Sequence, residues 1–277
     1  MKKLLSIALL ASLGFSAEFT LMPYGSYINY SGSSKDNAKL GGIYLSCFNS
    51  PFKLETDGEF LKINYKDGIA NYYQRDLTFI GHYYIGDNYE VHAGIHNIFI
   101  TQADNPNHYQ KVLFGGVLYY KYLKYNTGID YYYSDYSGFD VKQITPKLGF
   151  NFGNYYSYTG SFYAEAKVNY INISDKTKAG TPDDNYWNTD LKLSNFQGPW
   201  TTTLKASLGK YAYKVANGGF VVYNLGDEYK YSYGIDINYA LSKQNSIKAG
   251  FTRSKFDESD NNDCYSNTFL VSFVTSF

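Results

Sequence analysis

From Tyr229 onward the chain changes character at every residue. Tyr229, Tyr231, Tyr233, Ile235, Ile237, Tyr239 and Leu241 fall on one side, and Lys230, Ser232, Gly234, Asp236, Asn238, Ala240 and Ser242 on the other. Successive side chains of a strand point to opposite faces, so this period of two predicts a long strand with one apolar and one polar face. The pattern recurs. Phe162, Ala164, Ala166, Val168 and Tyr170 alternate with Tyr163, Glu165, Lys167 and Asn169, and similar runs cover Leu77–Ile85, Val91–Phe99 and Ile247–Phe251. Stretches 19–31, 38–49 and 109–122 alternate less cleanly and leave their facing open. These runs exceed the roughly five or six residues of an ordinary strand. A strand that crosses a bilayer needs about nine to eleven, with aromatic residues at both interfaces. The Tyr-rich apolar side fits a face against lipid better than a packed soluble core.

The connections set the topology. Tight turns are expected at 50–52, 86–88, 123–124, 153–155, 198–199 and 242–245, and longer polar links at 31–37, 66–72, 102–108, 135–138, 174–185, 214–227 and 257–263. Short turns on the periplasmic side and longer loops outside are the habit of outer-membrane barrels. About fourteen strands lie between these connections, an even number that puts both termini in the periplasm. Twelve is the alternative if 38–66 or 214–227 is irregular. In lipid no water satisfies an edge strand, so the sheet must close. The predicted fold is all-β, a single closed antiparallel transmembrane β-barrel over residues 18–277. The wall takes up nearly the whole length and leaves none for a separate plug or periplasmic domain.

The first residues read as an export signal, 1–17. Lys2 and Lys3 precede an apolar run from Leu4 to Leu13, and Gly14, Ser16 and Ala17 offer cleavage after Ser16 or Ala17. That run of about ten residues is too short to span a bilayer as a helix. Composition adds 33 Tyr, 19 Phe and 25 Gly to the β reading. Formal net charge is zero, which supplies no field to attract nucleic acid. Cys47 and Cys264 fall at opposite ends of non-neighbouring strands and are expected to stay unbonded.

The chain closes on Phe269, Leu270, Val271, Ser272, Phe273, Val274, Thr275, Ser276 and Phe277. This ending resembles the C-terminal strand of Gram-negative outer-membrane β-barrel proteins. With the signal and the alternating wall, the whole chain resembles the small monomeric porins in size and strand count, without a motif of any one family. The resemblance implies that Phe269, Val271, Phe273 and Phe277 form the signal read by the barrel-assembly machinery. It also implies a monomer in the cell outer membrane, in contact with lipid and lipopolysaccharide.

The polar faces give candidate pore-lining residues. Lys62, Lys147, Lys167, Lys192, Lys205, Lys230 and Lys248 stand against Asp76, Glu90, Asp130, Glu165, Asp190 and Asp236. Seven against six predicts weak ion selectivity, since strong selection needs rings of one sign. His82, His92 and His96 share one hairpin and one face, with His82 and His92 opposed across it. Opposed imidazoles are candidates for gating by repulsion on protonation, or, with His82 and His92 as ligands, for holding a soft divalent metal. Unremarkable lumenal side chains are the alternative to both. The acidic loops carrying Asp183, Asp184, Asp257, Glu258, Asp260 and Asp263 suit either solvation or a bridging cation.

The function these features predict is a porin-like channel for passive diffusion of small hydrophilic solutes, with no cofactor. A binding or adhesion barrel acting through its outside loops is the first alternative, and an outer-membrane hydrolase the second. No enzyme is expected. His108, the histidine available at a strand end, has no nucleophile and orienting group beside it, and the only arginines are Arg75 and Arg253.

Overall fold

The computed structural model describes residues 17–102, 105–122, 124–259 and 261–277. Residues 1–16 of the expected export signal, residues 103 and 104 of the 102–108 link, Leu123 of the predicted 123–124 turn, and Asp260 lie outside the described residues.

Fourteen antiparallel strands close into one barrel. They are β1 (Glu18–Ser31), β2 (Lys35–Asn49), β3 (Phe52–Tyr65), β4 (Tyr72–Ile85), β5 (Tyr89–Gln102), β6 (Asn105–Lys121), β7 (Tyr125–Tyr136), β8 (Phe139–Gly153), β9 (Ser161–Ile173), β10 (Asn185–Gln197) and β11 (Trp200–Tyr211), followed by β14 (Glu228–Ala240), β15 (Asn245–Asp257) and β16 (Cys264–Ser276). Two short strands between β11 and β14, β12 (Val215–Ala216) and β13 (Val221–Val222), pair only with each other. Stretch 38–49 lies within β2 as wall, whereas 214–227 contributes no wall strand, and the count is fourteen. β1 closes the ring on β16, with Thr20 opposite Ser276 and Ser31 opposite Tyr265.

The alternation assigns the two surfaces. On β5, Phe99 is 48% exposed while its neighbours Ile98 and Ile100 are buried. The outer surface carries two aromatic belts. Trp200 against Tyr239, Phe52 against Tyr83, and Tyr89 against Tyr119 lie toward the end that holds both termini. Phe60 against Tyr73, Phe99 against Tyr109, and Tyr170 against Trp187 lie toward the other. Tyr73 and Tyr83 are ten residues apart on β4; at about 3.3 Å per residue and a tilt near 40°, the belts stand about 25 Å apart, the height of a bilayer's apolar band.

The connections depart from expectation at four places: the expected long links 31–37 and 102–108 are short, since β2 begins at Lys35 and β6 at Asn105, and two turns differ as well. Gly153–Tyr155 is not a tight turn, because β8 and β9 are joined at the terminal end by a seven-residue loop, 154–160. The 135–138 link is conversely only a two-residue turn, since β7 runs on to Tyr136 and β8 begins at Phe139. Cys47 and Cys264 are free thiols, near the terminal end of β2 and at the outer start of β16.

Phe277 completes the ring. Its N–H donates to the Phe19 carbonyl (3.0 Å), the Phe19 N–H donates back (2.8 Å), and the two rings stack 6.1 Å apart. Deleting Phe277 removes this pair of hydrogen bonds and the stack at the one seam that joins the chain's ends. The folded barrel is expected to lose its compact electrophoretic form in detergent at a lower temperature than wild type. An unchanged transition would show the seam to be stable without it.

Candidate functional site

Residues Ala212–Asp227, between β11 and β14, do not stand outside the barrel. They fold back into the lumen as a strap across its outer half. Two features favour this: the link is rich in apolar residues, with Val215, Phe220, Val221, Val222 and Leu225, and Gly218 and Gly219 take positive φ (68° and 102°) at its tip. The anchors are buried or half-buried. Lys214 Nζ donates to Asp190 (2.6 Å) and Asn188 (2.7 Å) and lies over the Tyr211 ring. The Gln143 amide pairs with Val215 as a backbone would, donating to its carbonyl and accepting from its N–H at 2.8 Å each. His96 Nδ1 donates to the Gly219 carbonyl (2.8 Å). Asn224 donates to Gln74 (2.9 Å) on β4. A Cβ on Gly219 would fall 2.2 Å from the Phe114 ring, so the tip fits only as glycine.

Apolar residues fill the space around the strap. Val215 and Phe220 pack with Val112, Phe114 and Tyr132 on one side, and Tyr213 packs with Tyr136, Val141 and Ile173 on another. Lys35 holds the far end of the strap. Its ammonium, 4% exposed, bonds Asp227 (2.7 Å) and Glu258 (2.9 Å), and the Ser34 N–H also donates to Glu258 (2.8 Å). Burial raises the pKa of Asp227 against the pull of Lys35. For Glu258, burial acts upward but is outweighed by hydrogen bonds from Ser33 and Ser34 and by Lys35, which bring it down to about 2.

Beneath the strap the lumen is polar and open. A cavity of about 610 Å³ reaches from the strap tip at Asn217 and Gly218 to Lys167, Lys192, Lys205 and Lys248 on the wall. These lysines are tied in pairs to shared carboxylates: Lys167 and Lys192 to Glu165 (3.3 Å each), and Lys205 and Lys248 to Asp236 (2.9 and 3.0 Å). The opposite wall is acidic. Glu55, Asp57 and Glu59 follow one another on β3, and the Tyr24 hydroxyl donates to Asp57 and Glu59. The sequence signal for this row is the alternation of Lys53, Glu55, Asp57 and Glu59 with Leu54, Thr56, Gly58 and Phe60.

Between the two walls runs a chain of ionisable side chains. His82 Nε2 lies 2.5 Å from Glu55 and its Nδ1 lies 2.8 Å from Glu90. His92 Nδ1 is 3.5 Å from the same Glu90 oxygen, and its Nε2 is 3.3 Å from Asp130, which Lys147 meets at 3.0 Å. The Tyr44 and Tyr120 hydroxyls donate to Glu55 and Glu90. The two imidazoles are opposed as expected, with ring centres 5.6 Å apart. Mutual repulsion is nonetheless not their governing interaction, because Glu90 contacts both rings and each ring has a further carboxylate. His96 is buried under the strap and does not join this chain.

Of the pore-lining candidates, Asp76, His82, Glu90, His92, His96, Asp130, Lys147, Glu165, Lys167, Asp190, Lys192, Lys205, Asp236 and Lys248 turn into the barrel. Two do not. Lys62 pairs across the sheet with Tyr73 on the outer surface, because β3 points Leu61 and Ile63 inward. Lys230 bonds Asp257 and Asp263 at the outer rim (2.7 and 3.3 Å). A bulge between Tyr229 and Tyr231 reverses the alternation there, so Tyr229 packs inside the barrel instead of facing lipid. Asp263 also meets Lys255 at 2.7 Å, so Asp257, Glu258 and Asp263 are each paired with the chain's own lysines.

A closed fourteen-stranded wall, apolar between two aromatic belts outside and polar within, has the architecture of a transmembrane β-barrel of the outer-membrane type. No family model and no curated protein matches the chain. Among solved structures it is similar to the Acinetobacter baumannii outer membrane protein Omp33, at 10% identity and a TM-score of 0.54 over 94% of this chain and 99% of that one. It is also similar to the CymD monoaromatic hydrocarbon channel, at 9% identity and 0.58 over 99% and 92% of the two chains. A third is the Ralstonia pickettii toluene transporter TbuX, at 7% identity and 0.57 over 95% and 90%. The likeness is one of fold.

Proposed function

We propose that the protein is an outer-membrane channel that admits small hydrophilic solutes by passive diffusion, with the strap as its constriction. One observation carries the reading: a polar, charge-lined vestibule ends against a loop, not against the wall. Loops reposition at far lower cost than a closed ladder of strands. Lumenal charges are mostly paired across short distances, and the acidic and basic walls face each other, so ion selectivity is weak. That two of the similar structures bear the names of a hydrocarbon channel and a toluene transporter supports transport as the class of activity. The polar vestibule favours hydrophilic cargo here. In this reading the segment 1–17 directs export, the barrel-assembly machinery inserts the chain, and a monomer resides among outer-membrane lipid and lipopolysaccharide.

Purified protein in a planar bilayer is expected to give small discrete current steps with nearly equal permeability to potassium and chloride. If folded protein shows no step at any voltage, the channel reading fails. The packed outer half of the lumen would then favour a sealed barrel that binds through its outside loops.

A further inference from the structure

We propose that His82, Glu90 and His92 bind a divalent transition-metal ion of the zinc class, through Nδ1 of each imidazole and the Glu90 carboxylate. This site stands apart from conduction and does not depend on it.

Three ligands from one hairpin converge. His82 and His92 are directly opposed on β4 and β5, and Glu90 reaches in from two residues away. One ligand atom from each lies within 4.8 Å of the others. Nδ1 of His82 and Nδ1 of His92 stand 2.8 and 3.5 Å from the same Glu90 oxygen. Ligand bonds of about 2.0–2.1 Å in a tetrahedron set ligand atoms about 3.3 Å apart, a spacing that these two distances bracket.

A second observation is independent of that spacing. His92 Nδ1 is buried and has no hydrogen-bond partner, and its side chain is 8% exposed. An unpartnered ring nitrogen in such a place is costly unless a ligand meets it. A third concerns the far side of each ring. His82 Nε2 faces Glu55 and His92 Nε2 faces Asp130. Metal-binding histidines characteristically give their other N–H to a carboxylate, which fixes the tautomer and orients the ring. Here both do.

Charge balance agrees. With neutral imidazoles, Glu55, Glu90 and Asp130 outnumber the two adjacent cations, Lys53 and Lys147. Either ring protons or one divalent cation offset the excess. The ion and the protons therefore compete, and binding releases protons and weakens as pH falls. Three protein ligands leave one position for water or a solute group.

The full chain, stripped with a chelator and held in detergent, is titrated with zinc chloride by calorimetry and metal analysis. One ion per chain is expected. His82→Ala and His92→Ala should each weaken binding by on the order of a hundredfold, and Asp130→Asn by about ten- to hundredfold through the ring it orients. His108→Ala should leave binding unchanged. Absence of stoichiometric zinc at micromolar concentration in wild type overturns the proposal, as does equal binding in both alanine variants. Cobalt(II) added to wild type needs no variant to fold. A visible absorption band of a four-coordinate nitrogen and oxygen site is expected, and a purely six-coordinate aqueous spectrum overturns the site.

Discussion

Replacing residues 216–221 with a Gly-Gly turn is expected to raise the single-channel step several-fold. Val215 and Val222 are direct partners across the small β12–β13 hairpin, and a two-residue glycine turn joins such partners without strain. The replacement removes Gly219, whose carbonyl receives the His96 hydrogen bond, and Phe220, whose ring packs edge-on against Tyr44. It leaves the anchors at Lys214, Val215 and Asn224 in place. The wall should be unaffected, because its fourteen strands pair with one another and take no ladder hydrogen bond from the strap. Fourteen strands enclose more space than the eight that side chains alone can fill, so clearing the strap tip should widen the narrowest part of the water path through the barrel. The measurement is the conductance histogram of variant and wild type in the same salt, with folding checked by heat-shifted electrophoresis. An identical step size would mean that current does not pass the strap.

The second large effect belongs to Lys35. Lys35→Met leaves Asp227 and Glu258 buried without their cation, and removing one partner of a buried ion pair costs about 3–5 kcal/mol. That cost bears on the strap and not on the wall, since both carboxylates lie in loops that regain water once the strap lifts. At about 1.4 kcal/mol per decade, the lifted population should rise by roughly two to four orders of magnitude. Amide exchange at residues 215–222 reads this directly. Asp227→Asn with Glu258→Gln should restore much of the protection to Lys35→Met, because it removes the uncompensated charge. If exchange is unchanged in Lys35→Met, the latch does not hold the strap.

Acid should act on the same latch in a defined window. Glu258, drawn down to about 2 by Ser33, Ser34 and Lys35 beside β2, contributes stability to that loop contact at neutral pH that is lost as pH falls from its ordinary value near 4.5 toward 2. Asp227 is displaced the other way by burial, so its protonation favours the docked form. The strap is therefore expected to stay docked through mild acid, and it is the Glu258 contact with Ser33 and Ser34 that loosens, only below about pH 4. Exchange that accelerates already between pH 7 and 5 would place the responsible group elsewhere.

Much of the fold is legible in the chain because a wall between lipid and water imposes a strict period of two. Leu77 to Ile85, Phe162 to Tyr170 and the run into Phe277 each declare their outward face, and breaks at Gly86–Asn88 and Gly198–Pro199 mark the turns. The even count of strands and the closure through Phe277 follow from the same constraint. Where the alternation fails, the cause is local. The bulge beside Tyr229 adds one residue to a strand, which reverses the facing of Tyr229 and Lys230 while their residue types stay unchanged. On β3 the outer end carries Leu61 and Ile63 inward to meet a core, so Lys62 is pushed to the rim.

That core is the part no local pattern contains. The lumen of an open barrel should be polar throughout, yet its outer half is lined by Ile63, Ile98, Val112 and Ile171, apolar because Ala212–Asp227 folds in to cover them. The strap is held by Gln143, Asn188, His96, Gln74 and Lys35, which come from five separate strands, and only closure of the ring brings them round one loop. The sequence by itself determined the wall, its two faces and its address in a membrane, since these depend on each residue's neighbours two positions away. The strap, the latch and the chain from Glu55 to Lys147 were decided by tertiary structure, because each joins residues that meet only across the barrel.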